Sequence, residues 1–455
     1  MKIKDNIFRA YDIRGIYPSE VNTEFAKRLG RAVIYFFAKK YKSRGKNLNL
    51  VVGSDTRATS PVLKRALIES LISCGANIID IGEVTTPLFY YSVKKAKSSG
   101  GIMVTASHNP PSYNGFKING PNLEIIAGKD FVRIKKIMRL KTKIRSTRFG
   151  QISPADFKKD YIAFLVKQSK ISKKINAVID ACGGTTALLL PEVLSKMPIK
   201  YKPLYFEIDR MFKKHSPNPL LAESKKPIQD EAKRGGYQLG AVFDGDGDRV
   251  FFVDEKGNLV YGHQIIALLA KELLKKMARP IVAYDLTLSR ALGEFIALHG
   301  RGIKTKVGRS FLGKALSEGA VLGGESSGHF YFDEFFKRDS GILAFLKIAK
   351  IISEAKMPFS RLVAPFQKYF QSEEINFKVK NKEQTMKFVE EALKNSRPRP
   401  KINRLDGLGI AFEDWWFNLR PSNTEPVLRL NLEAKTGWLV KEKTKLLRKI
   451  IRRSR

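Results

Sequence analysis

Only two cysteines, Cys74 and Cys182, occur in 455 residues. That scarcity excludes a disulfide framework and a four-cysteine zinc site, and it fits a reducing compartment. Long apolar runs are missing as well: a stretch such as residues 33–38 is far too short to cross a bilayer. The opening Met1-Lys2-Ile3-Lys4-Asp5-Asn6 lacks the apolar centre of a secretory signal. These absences lead to the expectation of a soluble, cytoplasmic protein with no membrane partner. Acidic residues are the third shortage, with 44 Asp+Glu against 83 Lys+Arg and a formal net charge of +39.

A charge of that size admits nucleic acid, an anionic membrane surface or an anionic small substrate as partner, and equally a lysine-rich solvated surface. Its distribution narrows the choice. Basic residues crowd at Arg133, Lys135, Lys136, Arg139, Lys141, Lys143 and Arg145, and again over residues 441–455. In the second cluster Leu446, Leu447, Ile450 and Ile451 recur at helical spacing, so the cations form the polar face of a terminal amphipathic helix. Neither cluster interleaves aromatics as a base-stacking surface does, so no dedicated nucleic-acid site is expected.

With 43% hydrophobic and 28% charged residues the chain can bury several cores. Short apolar runs alternate with helical patterns: strands at 49–53, 77–81 and 101–105 with helices at 61–74 and 87–97. The alternation restarts with strands at 176–180 and 239–243 and helices at 185–194 and 224–234. It restarts again with helices at 263–277, 289–298 and 310–317 and strands at 281–285 and 303–307. The last part differs, with strands at 375–379, 418–420 and 428–433, a helix at 382–394 and a closing helix at 440–451. The pattern predicts an α/β protein: three successive α/β domains with mostly parallel mixed sheets, then a C-terminal α+β domain. Boundaries are placed at 1–152, 153–255, 256–368 and 369–455.

Four motifs could carry chemistry. In Thr105-Ala106-Ser107-His108-Asn109-Pro110 a strand runs into a small polar loop, exposing Ser107 where open α/β sheets hold ligands. The pattern is no G-x-S-x-G elbow, and alone it is also compatible with a decorated Asn-Pro turn. Asp244-Gly245-Asp246-Gly247-Asp248-Arg249 follows an apolar run, and its alternate carboxylates can converge on one hard cation. An EF-hand is excluded, because Arg249 stands where that loop needs glycine and the flanks 239–243 and 250–253 are strand-like. A divalent-metal site results, and Mg²⁺ suits one shared with phosphate.

Gly323-Gly324-Glu325-Ser326-Ser327-Gly328-His329 offers Glu325 and Ser327 to sugar hydroxyls, or is simply a glycine-rich turn. Arg420-Pro421-Ser422-Asn423-Thr424-Glu425-Pro426 combines one cation with three hydrogen-bonding side chains, a competent phosphate cradle. Residues 308–315 nearly spell a Walker A loop, but Ala315 replaces the Mg²⁺-holding hydroxyl, so the segment is read as a helix start.

In this order, and joined by the opening Phe8-Arg9-Ala10-Tyr11-Asp12-Ile13-Arg14-Gly15, the motifs resemble the α-D-phosphohexomutase family, in its phosphomannomutase/phosphoglucomutase branch. The resemblance covers essentially the whole chain. It implies a four-domain, heart-shaped enzyme with its active site in the central cleft, a monomer or weak dimer. The implied activity is interconversion of hexose 1-phosphate and hexose 6-phosphate, of mannose and/or glucose. A phosphoserine and a sugar 1,6-bisphosphate, which is intermediate and activator, carry that reaction.

By resemblance Ser107 carries the phosphoryl group, and Mg²⁺ is held by Asp244, Asp246, Asp248 and the phosphorylated Ser107. Lys117 (in Asn114-Gly115-Phe116-Lys117) and Arg249 stabilise phosphoryl oxygens or help move the hydroxyl proton, with His108 and His329 as electrostatic or acid–base helpers. Glu325 and Ser327 hold the sugar; Arg420, Ser422, Asn423 and Thr424 grip the non-reacting phosphate, with Tyr11 and Arg14 contributing.

Phosphoglucosamine mutases more usually read F-G-T-D-G-I-R-G and N-G-I-K, which separates them from this chain, although that activity stays an alternative. A basic nucleic-acid-binding protein is the alternative from another class. Two positions depart from the dual-specificity pattern: Thr287 where a Lys is usual, and Arg309 where a His is usual. Arg309 could donate to a phosphate or hydroxyl in its stead.

Overall fold

The computed structural model describes residues 3–42, 48–140, 149–422 and 427–454. The chain divides into two compact units, residues 1–261 with 327–360, and residues 262–326 with 361–455.

The first unit contains two sheets. One has six strands in the order Ile13–Ile16, Tyr113–Asn119, Gly100–Val104, Asn49–Ser54, Asn77–Glu83 and Ile152–Pro154. Its last four strands pair in parallel, while Tyr113–Asn119 runs antiparallel to both its neighbours. Gly100–Val104 is buried at every position, which is why it reads as a continuous apolar run instead of an alternation.

The strand Tyr113–Asn119 has no such signature, since Asn114 and Gly115 interrupt it. Gly115 is required by close approach: a Cβ there would sit 2.0 Å from the Ile13 carbonyl oxygen on the next strand. Helix Thr23–Lys40 covers this sheet, capped where the Asn22 side chain accepts the Phe25 N–H at 3.0 Å. Its Phe25, Leu29, Val33 and Phe37 enter the core with Leu67 and Leu71 of helix Ser60–Ser73.

The second sheet runs Leu259–Val260, Val250–Val253, Leu239–Phe243, Ile175–Asp180, Ile199–Leu204. Its last three strands are parallel, and Leu239–Phe243 forms an antiparallel hairpin with Val250–Val253. The expected helix at 185–194 is instead a 3₁₀ turn, Thr185–Leu188, followed by helix Leu190–Ser195; Pro191 suits only the first turn of a helix. Helix Gly341–Glu354 also belongs to this unit, with Phe345 edge-on to Phe243 at 6.0 Å.

In the second unit, Arg301–Thr305, Ile281–Asp285 and Leu322–Gly324 pair in parallel, with helices Gly262–Leu273, Arg290–His299 and Arg309–Ser317. The strand expected at 303–307 starts and ends two residues earlier. The unit continues into an antiparallel sheet, Phe370–Gln371, Leu428–Ala434, Trp415–Pro421, Leu408–Ala411, Lys401–Asn403, with Ile375–Phe377 also paired to Leu428–Ala434. Helices Lys382–Leu393 and Gly437–Arg453 accompany it. The closing helix is amphipathic as expected: Val440, Leu447 and Ile451 are buried, while Lys441, Lys445, Arg448 and Lys449 are exposed. Lys141, Lys143 and Arg145 of the other basic cluster lie outside the described residues.

One buried group outside the motifs has an electrostatic consequence. His215 presents Nδ1 to the Ser216 carbonyl at 2.6 Å and Nε2 to the Ser224 carbonyl at 3.0 Å, with Asp180 Oδ2 3.3 Å from Nε2. Acceptors at both nitrogens select the imidazolium. Burial pushes the His215 pKa down, but the Asp180 carboxylate and the two carbonyls outweigh it and hold it above the usual histidine value. A raised folded-state pKa stabilises the protein fully below the unfolded value of about 6.5, and this contribution is lost as pH rises through the folded value. The gap in apparent urea midpoint between wild type and H215Q is therefore expected to be larger at about pH 6 than at about pH 9. A gap independent of pH in parallel unfolding curves would contradict the imidazolium assignment.

Candidate active site

The first unit brings together most of the residues singled out by the motifs. Ser107 follows strand Gly100–Val104 in a loop, in left-handed backbone conformation (φ 51°), with its N–H donated to Thr105 Oγ1 at 2.8 Å. The aspartate motif forms the turn between strands Leu239–Phe243 and Val250–Val253. All three carboxylates are buried, and one oxygen from each lies within 4.8 Å of the others. Ser107 Oγ donates to Asp244 Oδ2 at 2.9 Å. The turn must also lie flat against the serine loop: a Cβ on Gly245 would stand 2.8 Å from the Ser107 carbonyl oxygen.

Each carboxylate is fixed through protein contacts. Asp244 Oδ1 accepts the backbone N–H groups of Gly247 (3.0 Å) and Arg249 (3.2 Å). Asp246 Oδ2 accepts Lys117 Nζ and Thr86 Oγ1, both at 2.6 Å, and Asp248 Oδ2 accepts Lys117 Nζ at 2.5 Å. Asp246 Oδ1 and Asp248 Oδ1 are buried with no hydrogen-bond partner among the described residues. Burial and the neighbouring Asp248 and Asp246 charges push the Asp244 pKa well above the usual carboxylate range. Burial also opposes ionisation of Asp246 and Asp248, but the Lys117 ammonium holds both below their ordinary value. Hard oxygen donors, two of them orphaned, in a cluster short of positive charge fit a divalent cation.

Positive groups surround the cluster. Arg249 Nε lies 3.7 Å from Asp244 Oδ2 and donates to His329 Nε2 at 2.9 Å. That bond leaves the His329 ring proton on Nδ1, 2.7 Å from Asp339 Oδ2. His108 Nδ1 lies 3.4 Å from Ser107 Oγ. Burial, then the charges of Arg249 and Arg14, drive the His108 pKa well below that of free histidine, so the ring is neutral. Arg14 is clamped to Asp12 Oδ2 (2.9 and 2.6 Å) and reaches Asn109 Oδ1 at 2.5 Å. Tyr11 and Ser327, also in this unit, are half-buried.

The second unit gathers the remaining residues. Arg309 opens helix Arg309–Ser317 and is 2% exposed; the preceding Gly308 N–H donates to Glu325 Oε1 at 3.0 Å. Thr287 Oγ1 meets Ser326 Oγ at 2.8 Å, and both residues bond Asp285. The Val307 N–H donates to Asp406 Oδ2 at 3.2 Å, and the adjacent Gly407 packs against the Arg420 backbone. Arg420 Nη2 donates to Glu374 Oε2 at 3.2 Å, and Ser422 is buried beside it in sequence. Asn423 and Thr424 lie outside the described residues.

Sequence reasoning missed three contributors: Thr86 on Asp246, Thr105 under Ser107, and Asp339 beside His329. Thr86 and Asp339 carried no pattern, being 160 and 10 positions from the residues they serve. Thr105 was in view, since it opens the serine motif.

Comparison with known proteins adds independent information. Four phosphoglucomutase/phosphomannomutase profiles match in succession: α/β/α domain I at residues 5–145, α/β/α domain II at 159–257, α/β/α domain III at 261–369, and the C-terminal domain at 374–445. A phosphomannomutase of Methanocaldococcus jannaschii is 36% identical over 454 residues, covering 98% of this chain and 97% of that protein. A phosphomannomutase/phosphoglucomutase of Pseudomonas aeruginosa is 32% identical over 440 residues, covering 95% and 92%. The crystal structure of a phosphoglucomutase/phosphomannomutase family protein from Burkholderia thailandensis superposes with a TM-score of 0.89 at 26% identity, covering 100% of this chain and 98% of that one.

Two outcomes follow from the cluster geometry. In D246N the orphaned oxygen loses its charge, so affinity for Mg²⁺ or Mn²⁺ in calorimetry is expected to fall at least about tenfold; unchanged affinity would place the cation elsewhere. G245A should lift the aspartate turn off the Ser107 carbonyl and weaken cation binding as well, with a lowered thermal midpoint.

Proposed function

The chain belongs to the phosphoglucomutase/phosphomannomutase family of the α-D-phosphohexomutases, and from that membership we propose that it interconverts hexose 1-phosphates and hexose 6-phosphates, of mannose and/or glucose, through phosphorylated Ser107. The observation that carries the reading is the hydrogen bond from Ser107 Oγ to a buried triple-aspartate cluster with Lys117 inside it. A serine meant only for structure has no need of such surroundings.

Asp244, Asp246 and Asp248 are the residues to hold Mg²⁺, with the phosphorylated Ser107. The ion would supply charge neutralisation for phosphoryl oxygens. The chain's own groups do the rest. A sugar hydroxyl oxygen forms the new bond to phosphorus while the Ser107 Oγ–P bond breaks, and the hydroxyl proton ends on Oγ. Lys117 and Arg249 stabilise the charge spread over the equatorial oxygens. In the returned hydroxyl state Oγ–H is held by Asp244, as the 2.9 Å bond illustrates. His108 is neutral beside Oγ and adds no charge, whereas His329, backed by Asp339, orients Arg249.

The reverse half-reaction needs the resulting sugar 1,6-bisphosphate to turn over and present its other phosphate to Oγ. Glu325 and Ser327 would hold hydroxyls, and Arg420, Ser422, Asn423 and Thr424 would grip the phosphate that is not reacting, with Tyr11 and Arg14 assisting. Thr287 and Arg309 flank Glu325 and are the positions through which this chain would set its sugar preference. The division of labour follows residues 1–152 for the phosphoserine, 153–255 for the metal, 256–368 for the sugar and 369–455 for the phosphate. No described helix is long and apolar enough to cross a membrane.

The test uses purified protein, Mg²⁺, trace sugar 1,6-bisphosphate and, separately, mannose, glucose and glucosamine 1-phosphates. A 6-phosphate product from mannose or glucose is expected, together with one phosphate on Ser107 by intact mass. S107A should lose that mass and at least about 10³-fold in turnover. Product from glucosamine 1-phosphate alone would move the sugar assignment, and product from none would overturn the reading.

A further inference from the structure

The geometry points to Arg57 as the positioning residue of the serine loop, a guanidinium that sets the phosphoryl-carrying Ser107 by holding its backbone; this rests on the reading that Ser107 carries the phosphoryl group. Arg57 follows strand Asn49–Ser54, the parallel neighbour of the strand that leads to Ser107. Its side chain is among the largest fully buried ones of the protein, 1% exposed. A buried cation is destabilising unless its donors are satisfied. Here each of the five N–H donors of the guanidinium has a partner.

Nε donates to Asp55 Oδ2 at 3.2 Å. Nη1 donates to the carbonyls of Pro110 (2.9 Å) and Tyr113 (3.2 Å), and Nη2 to those of Ser107 (2.7 Å) and Asn109 (2.6 Å). Three carbonyls of one irregular loop and that of Tyr113, where the next strand begins, thus converge on one side chain. Asp55 anchors the fork in turn, accepting the Arg57 N–H and the Ser60 hydroxyl. The guanidinium lies 5.1 Å from the Phe212 ring centroid.

Two features show what this fork controls. Ser107 sits at φ 51°, a left-handed conformation that is unfavourable for a non-glycine residue and persists only where its surroundings over-determine it. The Ser107 carbonyl is also the atom against which Gly245 is packed. The bond from Arg57 Nη2 to that carbonyl therefore fixes the peptide orientation from which Oγ reaches Asp244. Lysine cannot replace it: three donors on a point charge do not span four carbonyls and a carboxylate.

A displacement of about 1 Å at a reacting group can cost about 10²-fold in rate. Accordingly, in R57K the single-turnover phosphorylation of Ser107 by sugar 1,6-bisphosphate and the mutase kcat should each fall about 10²-fold, with KM for the sugar phosphate changed less than about threefold. Mg²⁺ affinity should stay within about threefold of wild type, since the Arg57 fork bonds none of Asp244, Asp246 and Asp248. The native fraction is measured by thermal unfolding, and rates are normalised to it. In R57A, guanidinium added at a sub-denaturing concentration should restore part of the phosphorylation rate where ammonium does not.

Should R57K and R57A be unfolded, D55N keeps the guanidinium but removes its anchor, and kcat is then expected to fall about tenfold at unchanged KM. Phosphorylation at the wild-type rate in folded R57K, or in D55N where that variant decides, overturns the positioning role. If wild type itself never carries phosphate on Ser107, the mutase reading fails instead, so the two failures are distinguishable.

Discussion

Three aspartate side chains buried within 4.8 Å of one another are the constraint around which the first unit is organised. Like charges at that spacing repel, and burial removes the water that would screen them. The structure answers with a lysine from a different strand, whose ammonium bridges Asp246 and Asp248, and with backbone N–H groups on Asp244. The residual shortage of positive charge falls on Asp244, the carboxylate that Ser107 touches. Such a place would suit a cation and a phosphoryl group together, because each would offset the burial cost of the other.

Two loops of unlike sequence fit closely here. The aspartate turn contributes carboxylates and a glycine; the serine loop contributes a hydroxyl and a carbonyl. Gly245 allows contact with the Ser107 carbonyl, while Arg57 holds the same carbonyl from the other side. The second unit shows a different chemistry. Glu325 is fixed by the Gly308 N–H, Thr287 and Ser326 share Asp285, and Arg420 is steadied by Glu374. In the proposed reaction these would be holding groups, for hydroxyls and for a phosphate that does not react. The large basic excess divides accordingly: Arg14, Arg57, Lys117, Arg249, Arg309 and Arg420 are buried, whereas the cations of the closing helix face outward and need no ligand.

How far the sequence could be read varied with burial. The parallel strands Asn49–Ser54, Gly100–Val104 and Leu239–Phe243 were visible because sheets covered on both faces need apolar residues throughout. Helix Gly341–Glu354 escaped although Lys347, Lys350 and Glu354 recur at helical spacing, outside its buried face. Strand Tyr113–Asn119 escaped because close packing against Ile13 calls for glycine, a residue that argues against strands elsewhere. Among site residues, those in compact motifs were legible: Ser107, the aspartates and Glu325. Thr86, Asp339 and Arg57 were not, as each meets its partners through contacts that follow no fixed spacing along the chain.

What the sequence determined by itself is chemical inventory and order: three rounds of strand and helix, an α+β close, a serine loop, a triplet of alternate aspartates and an arginine-led polar run near the end, in a pattern that a family shares. These are local properties, encoded in periodicity and short spacings. Only the tertiary structure decided which atoms meet. It placed Ser107 Oγ on Asp244, put Lys117 between the other two carboxylates, set Arg249 against His329 Nε2, and brought the carbonyls of Ser107, Asn109, Pro110 and Tyr113 to Arg57. Such contacts join residues brought close by sheet pairing and core packing, and their strength depends on burial. Neither burial nor long-range proximity is written at any single position of the chain.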